Sequence, residues 1–151
     1  MKTLSNLTDR QNISLRLTAL LADDAARWGS MSSHQMVCHL DDSYKVGLGE
    51  KYASPATGYL QRTLLKWLAL EMPLPWMKGV PTRPEIAQDK GGSLPIDFRQ
   101  DVRSLLSTLD RFCDALPMPC ALHPIFRDMT AGDWMRWGYL HADHHLRQFG
   151  R

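Results

Sequence analysis

Apolar positions recur along this chain at helical spacing, and most of the runs open on a residue able to cap a helix. Thr8-x-x-Gln11 has the form of a capping box, and Ile13, Leu17, Leu20 and Leu21 follow in register, so the pattern predicts a first helix from about Thr8 to Arg27. Ser32-x-x-Gln35 repeats the device. It predicts a second helix ending near Glu50, with Met36, His39, Leu40, Ser43 and Gly47 on its inner face. A shorter helix is expected around Tyr59 to Leu70, with Leu60, Leu64, Trp67 and Leu68 as its stripe, before a Pro/Gly-rich connection from Pro73 to Pro95 that reads as an irregular flap. Asp97-x-x-Gln100 opens the cleanest amphipathic run, Phe98, Val102, Leu105, Leu106, Leu109, Phe112 and Cys113, reaching to about Leu116. After a turn region from Pro117 to Asp128, Thr130-x-x-Asp133 caps a last helix that runs nearly to the end. No run alternates as a strand does. The expected architecture is all-α: a four-helix bundle with an additional short helix and a long connection between the second and third bundle helices, in a single domain over residues 1–151.

Composition narrows the function classes. Lys and Arg number 18 against 16 Asp and Glu and are scattered, so the electrostatic footprint of a nucleic-acid or anionic-membrane partner is missing. The first residues lack the apolar stretch of a secretory signal, and the most apolar window, Leu64 to Met77, is too short and too interrupted to span a bilayer. Cys38, Cys113 and Cys120 have no C-x-x-C spacing and read as reduced thiols. A soluble, cytoplasmic protein is the expectation.

Chemistry enters with the histidines. At about 100° per residue, a helical wheel of the last segment gathers Trp134, Trp137, Gly138, His141, His145, Gln148 and Phe149 within roughly 60° of one direction, with Arg136, Asp143 and Arg147 opposite. One inward histidine is most often a core residue bonded to a carbonyl or carboxylate. An i, i+4 pair in an apolar core is different, because one divalent cation satisfies both imidazoles at once, and H-x-x-x-H on a helix is a recurring chelate geometry. His39, inward on the second helix, supplies a third ligand, so the metal set is His39, His141 and His145 with a coordination position left open. His34 points away from the inner face and reads as a solvated or cap-side residue, and His123, before Pro124, as a turn or flap residue. His144 sits at the edge of the buried stripe, with a supporting role, a proton shuttle or a subunit contact all open to it. Cys38 is turned about 100° from His39 and is not expected as a ligand. Trp134 and Trp137 read as packing. His144, Gln148, Asp42 and His123 are the candidates for supporting the ligands.

Trp28-Gly29-Ser30-Met31-Ser32, Gln35-Met36-Val37-Cys38-His39-Leu40, His123-Pro124-Ile125-Phe126 and the stretch WMRWGYLHADHHLRQFG from Trp134 to Gly150 together resemble the DinB-like superfamily. The chain is most similar to an uncharacterised branch with the same tryptophan-glycine start and HHLRQF ending. The resemblance implies an antiparallel-type four-helix bundle with a divalent metal, commonly zinc or nickel, held by one histidine of the second helix and the H-x-x-x-H of the last. By position these are again His39, His141 and His145. It further implies metal-dependent transferases that activate low-molecular-weight thiols, and homodimers. Arg127 stands where the branch is expected to carry glycine.

Three neutral imidazoles leave a bound cation its full charge, which lowers the pKa of a water or thiol beside it. No glutamate follows the first histidine as in H-E-x-x-H hydrolases, so a dedicated base for water attack is not visible, and the expectation tilts toward thiol activation with the flap supplying the pocket. Asp42, His144 and Glu50 are the acid/base candidates, each more ordinarily a structural residue. The alternatives are a metal-dependent hydrolase and a non-catalytic, metal-stabilised binding or regulatory module. A haem bundle lacks its attachment motif.

Overall fold

The computed structural model describes residues 1–56, 64–72, 75–115 and 122–151. It contains α1 (Leu7–Thr18), α2 (Ser33–Gly47), α3 (Lys66–Leu70), a 3-10 turn (Pro84–Ile86), α4 (Phe98–Asp114) and α5 (Ala131–Gln148). Among the described residues there is no strand. The protein is all-helical, with one isolated antiparallel bridge between His123 and Arg127. α2 packs on both α4 and α5, and α1 packs on the same two helices from the other side.

Three of the sequence-read starts are realised. Ser32 Oγ accepts from the Gln35 N–H at 3.1 Å while Gln35 Oε1 accepts from the Ser32 N–H at 2.9 Å, and Thr130 and Asp133 make the same reciprocal pair. Asp97 caps α4 through a 2.7 Å bond from the Gln100 N–H. The first helix differs at both ends. Asn6, not Thr8, caps it by accepting from the Asp9 N–H, and it stops at Thr18 instead of Arg27. Asp24 accepts from the Leu21 N–H and is clamped by Arg151, while the Arg27 N–H donates to the Gln148 carbonyl at 2.7 Å. Those bonds to the chain end bend residues 19–27 across the end of α5, a tertiary demand that outweighs the local period.

The stripe expected for α3 is also turned. Residues 59–63 of that expected helix lie outside the described residues; Leu64, Trp67 and Leu68 are exposed and Leu70 is buried. Lys66 pairs with Asp133 at 2.6 Å and Arg136 Nε donates to the Leu70 carbonyl at 2.9 Å, so the Lys66–Leu70 edge, one turn long, is what faces α5.

α5 is more central than its wheel implies. Of the inward face, Trp134, Trp137, Gly138, Gln148 and Phe149 are buried and His141 and His145 partly so, but Met135, Tyr139, Ala142 and Leu146 are buried as well, because a second flank packs on α1, where Arg16 pairs with Asp143 at 2.7 Å. Gly138 sits at the crossing with α2. Its carbonyl accepts from the Tyr44 hydroxyl at 2.9 Å, and an added Cβ would stand 2.7 Å from Leu4 Cδ1.

The irregular connection is seated on α2 rather than loose over it. Asp42, wholly buried, accepts from the Ser93 N–H and hydroxyl at 2.7 Å each and from Gln88 Nε2 at 3.2 Å, and it pairs with Lys51 at 2.8 Å. The turn before α5 is closed by two backbone bonds between His123 and Arg127, and Arg127 has φ of 63°. That left-handed conformation favours glycine, which is the residue expected at this position from the resemblance.

Candidate metal centre

α2 presents His39 and α5 presents His141 and His145 to one point. The three rings lie with centroids 4.9 to 5.1 Å apart, and one donor atom from each falls within 4.8 Å of the others. His39 is buried, and His141 and His145 are partly so. Burial pushes the His145 imidazole down to about 3 and lowers His39 and His141 below the usual histidine range, so all three are neutral lone-pair donors at cellular pH.

The tautomers follow from the partners. His39 Nδ1–H donates to the Ile86 carbonyl at 2.9 Å, which leaves Nε2 bearing a lone pair. Gln148 Nε2 donates to the Trp28 carbonyl at 2.7 Å; its Oε1 therefore points at His145 Nδ1, 2.9 Å away, and accepts from the Nδ1–H, which leaves Nε2 of His145 bearing a lone pair. Two lone pairs thus converge on His141, whose Nε2 is 3.2 Å from that of His39. His141 Nδ1 is buried without a partner. Whichever nitrogen of His141 carries its proton, a polar atom is left unsatisfied, at a cost of about 1–3 kcal/mol. A divalent cation among the three Nε2 atoms satisfies the lone pairs that meet there, leaving the His141 proton on Nδ1, and the donor set suits zinc or nickel. The residues present therefore fit a metal. Among the described residues no fourth side-chain donor joins them.

Gly29 explains why a tryptophan-glycine pair belongs to this site. Its φ of +76° turns the Trp28 carbonyl toward Gln148, and a Cβ there would stand 2.9 Å from Gln148 Nε2. Trp76 stacks on His141 at 5.9 Å and its indole N–H donates to the Ala69 carbonyl at 2.8 Å, so the connection covers the cluster as well as orienting it. A groove of about 520 Å³ lies beside Trp76 and His144, and Arg136, Arg147 and Asp143 also line it. A depression between α1 and α4 is lined by Arg10, Asp110 and Asp114, an ion-paired seam remote from the histidines.

Other expected residues have different duties. Asp42 anchors the connection that brings the Ile86 carbonyl to His39, and its charge also acts on that imidazole through space. Glu50 is paired with Arg111 at the far end of α2. His123 is buried, its Nδ1 accepts from the Ile125 and Phe126 N–H groups at 3.1 and 3.0 Å, and its ring is packed on Phe126 and Trp137, so its lone pair is committed to its own turn. His144 lies edge-on to His145 at 5.3 Å, outside the donor set. His34 is not solvated: it is half-buried against α4, with Nε2 2.6 Å from Asp101 Oδ2. Cys38 points to the same carboxylate, and burial pushes its thiol up to about 12. Sequence reasoning missed the Ile86 carbonyl and Trp76, neither of which carries a local signal.

A family model described as "Protein of unknown function (DUF1569)" matches residues 2–151. The chain belongs to the DUF1569 family. No curated protein and no solved structure matches it. The whole set from Trp28 through Ile86 to Gln148 lies inside the DUF1569 span. No helix among the described residues of this DUF1569 chain is long and apolar enough to cross a membrane.

Proposed function

We propose that this DUF1569 protein is a DinB-like four-helix-bundle enzyme in which His39, His141 and His145 hold a zinc or nickel ion that activates a small thiol for transfer. The observation that carries the reading is the convergence of two tautomer-fixed lone pairs on the unsatisfied His141. Bound there, the ion retains its full charge and lowers the pKa of a thiol toward neutrality. The chain's own part is positional: the Ile86 carbonyl keeps the His39 ring in one tautomer, the Gln148 amide does the same for His145, and Trp76 shields one side of His141 from water. The groove beside His144 offers the exposed Arg147 to a substrate carboxylate, with Arg136 held beside it by the Leu70 and Lys2 carbonyls. Thiol activation is favoured over water attack because the two carboxylates read from the sequence as bases are already engaged, Asp42 by the connection and Glu50 by Arg111.

The test is a cobalt-loaded protein to which 2-mercaptoethanol is added. A new sulfur-to-cobalt charge-transfer band on thiol addition is expected in the parent and absent in His145→Ala. A spectrum unmoved by thiol in the parent would overturn the transferase reading.

A further inference from the structure

A second group of donors lies on the other side of α2, facing α4. We infer that His34, Cys38 and Asp101 form a separate zinc-type cation site bridging α2 and α4. His34 and Cys38 are at i, i+4, one turn apart on α2, and Asp101 lies in the first turn of α4. His34 Nε2 is 2.6 Å and Cys38 Sγ 3.8 Å from Asp101 Oδ2, and one donor from each residue lies within 4.8 Å of the others.

The arrangement is built rather than a chance meeting of surface side chains. Cys38 is 4% exposed, and Phe98 meets the His34 ring edge-on at 5.4 Å, which limits its rotation. The Ile96 N–H donates to Asp101 Oδ2 at 3.1 Å, fixing the carboxylate at the helix start. His34 and Asp101 keep side-chain exposures of 20% and 24%, which gives an ion a path in and room for solvent on its outer side. One imidazole nitrogen, one thiol sulfur and one carboxylate oxygen form a borderline-soft set that suits zinc and excludes magnesium and calcium, which take oxygen ligands. Binding releases the Cys38 thiol proton to solvent and moves the His34 ring proton to Nδ1, so the ion faces a thiolate, a carboxylate and a neutral imidazole. In its absence the same atoms form the hydrogen-bonded contact seen between the helices. The site does not rest on the thiol-transfer reading, since it shares no ligand with the three-histidine cluster.

Cobalt distinguishes the two sites, because only this one holds a protein sulfur. The full chain, freed of metal by chelation and titrated with Co²⁺ without added thiol, is expected to take up two equivalents and develop a sulfur-to-cobalt charge-transfer band. Cys38→Ser should abolish that band and bind one equivalent at least tenfold more weakly, while His145→Ala should keep it. The band that 2-mercaptoethanol induces at the three-histidine site should survive Cys38→Ser. If Cys38→Ser does not fold, Asp101→Asn is read instead, with the same weakening of the sulfur-bearing equivalent expected. A parent protein without the band, or a band retained unchanged in both variants, overturns the proposal whatever becomes of the other site.

Discussion

Replacing Gln148 by leucine tests whether the candidate metal centre depends on more than its three histidines. The amide links two groups: Oε1 accepts from His145 Nδ1–H at 2.9 Å and Nε2 donates to the Trp28 carbonyl at 2.7 Å. Leucine is close in volume and keeps the position apolar, so packing changes little at a residue that is 5% exposed. What is lost is the acceptor that fixes the tautomer and ring angle of His145. Hydrogen-bond partners of metal-bound histidines are worth roughly 10–100-fold in affinity, about 1.4–2.7 kcal/mol. Two lost hydrogen bonds at about 1 kcal/mol each should also lower metal-free stability by about 2 kcal/mol. Zinc affinity measured by competition with a chromophoric chelator reads the first quantity, and urea unfolding with chelator present reads the second. Gln148→Glu separates orientation from bulk, because its carboxylate still accepts from Nδ1 while giving up the bond to Trp28; zinc affinity should be largely retained. Equal zinc affinities in the parent and Gln148→Leu proteins would refute the positioning role.

Arg127→Gly relieves a left-handed backbone at φ of 63°, a conformation that costs a non-glycine residue about 1–2 kcal/mol. After the greater flexibility of glycine in the unfolded chain is set against it, a gain of about 0.5–1 kcal/mol is expected in urea unfolding, and a loss would contradict the strain. For His123, burial holds the folded-state pKa down to about 3 against an ordinary 6.5, so the unfolded chain takes up a proton first as the pH falls. Its contribution is complete above pH 6.5 and is lost toward pH 3, with a slope of up to about 1.4 kcal/mol per pH unit. His123→Asn, which keeps an acceptor for the Ile125 N–H, should flatten the stability profile of metal-free protein between pH 6.5 and 4.5 by about that slope; an unchanged profile would show that His123 is not what titrates.

Capping and period were legible in the residues because both are local. A Ser or Thr three positions before Gln or Asp satisfies the same donors in any fold, and α2 and α5 begin where those pairs stand. The i, i+4 spacing of His141 and His145 and the inward place of His39 follow from helical geometry alone, which is why the three ligand candidates needed no tertiary information. Where a segment's fate depended on a distant partner, the local pattern failed. Residues 19–27 leave the helix because Asp24 meets Arg151 and Arg27 meets the end of α5, and α3 turns because Lys66 finds Asp133. The same holds for the groups that govern the histidines. The Ile86 carbonyl arrives through a connection fastened by Asp42, and the Trp28 carbonyl through the turn at Gly29; neither has a sequence period, since each is placed by hydrogen bonds closing across 47 residues in one case and 120 in the other. Helical geometry thus aimed the imidazoles at one another, whereas their tautomers, and with them the direction of each lone pair, were decided by tertiary partners.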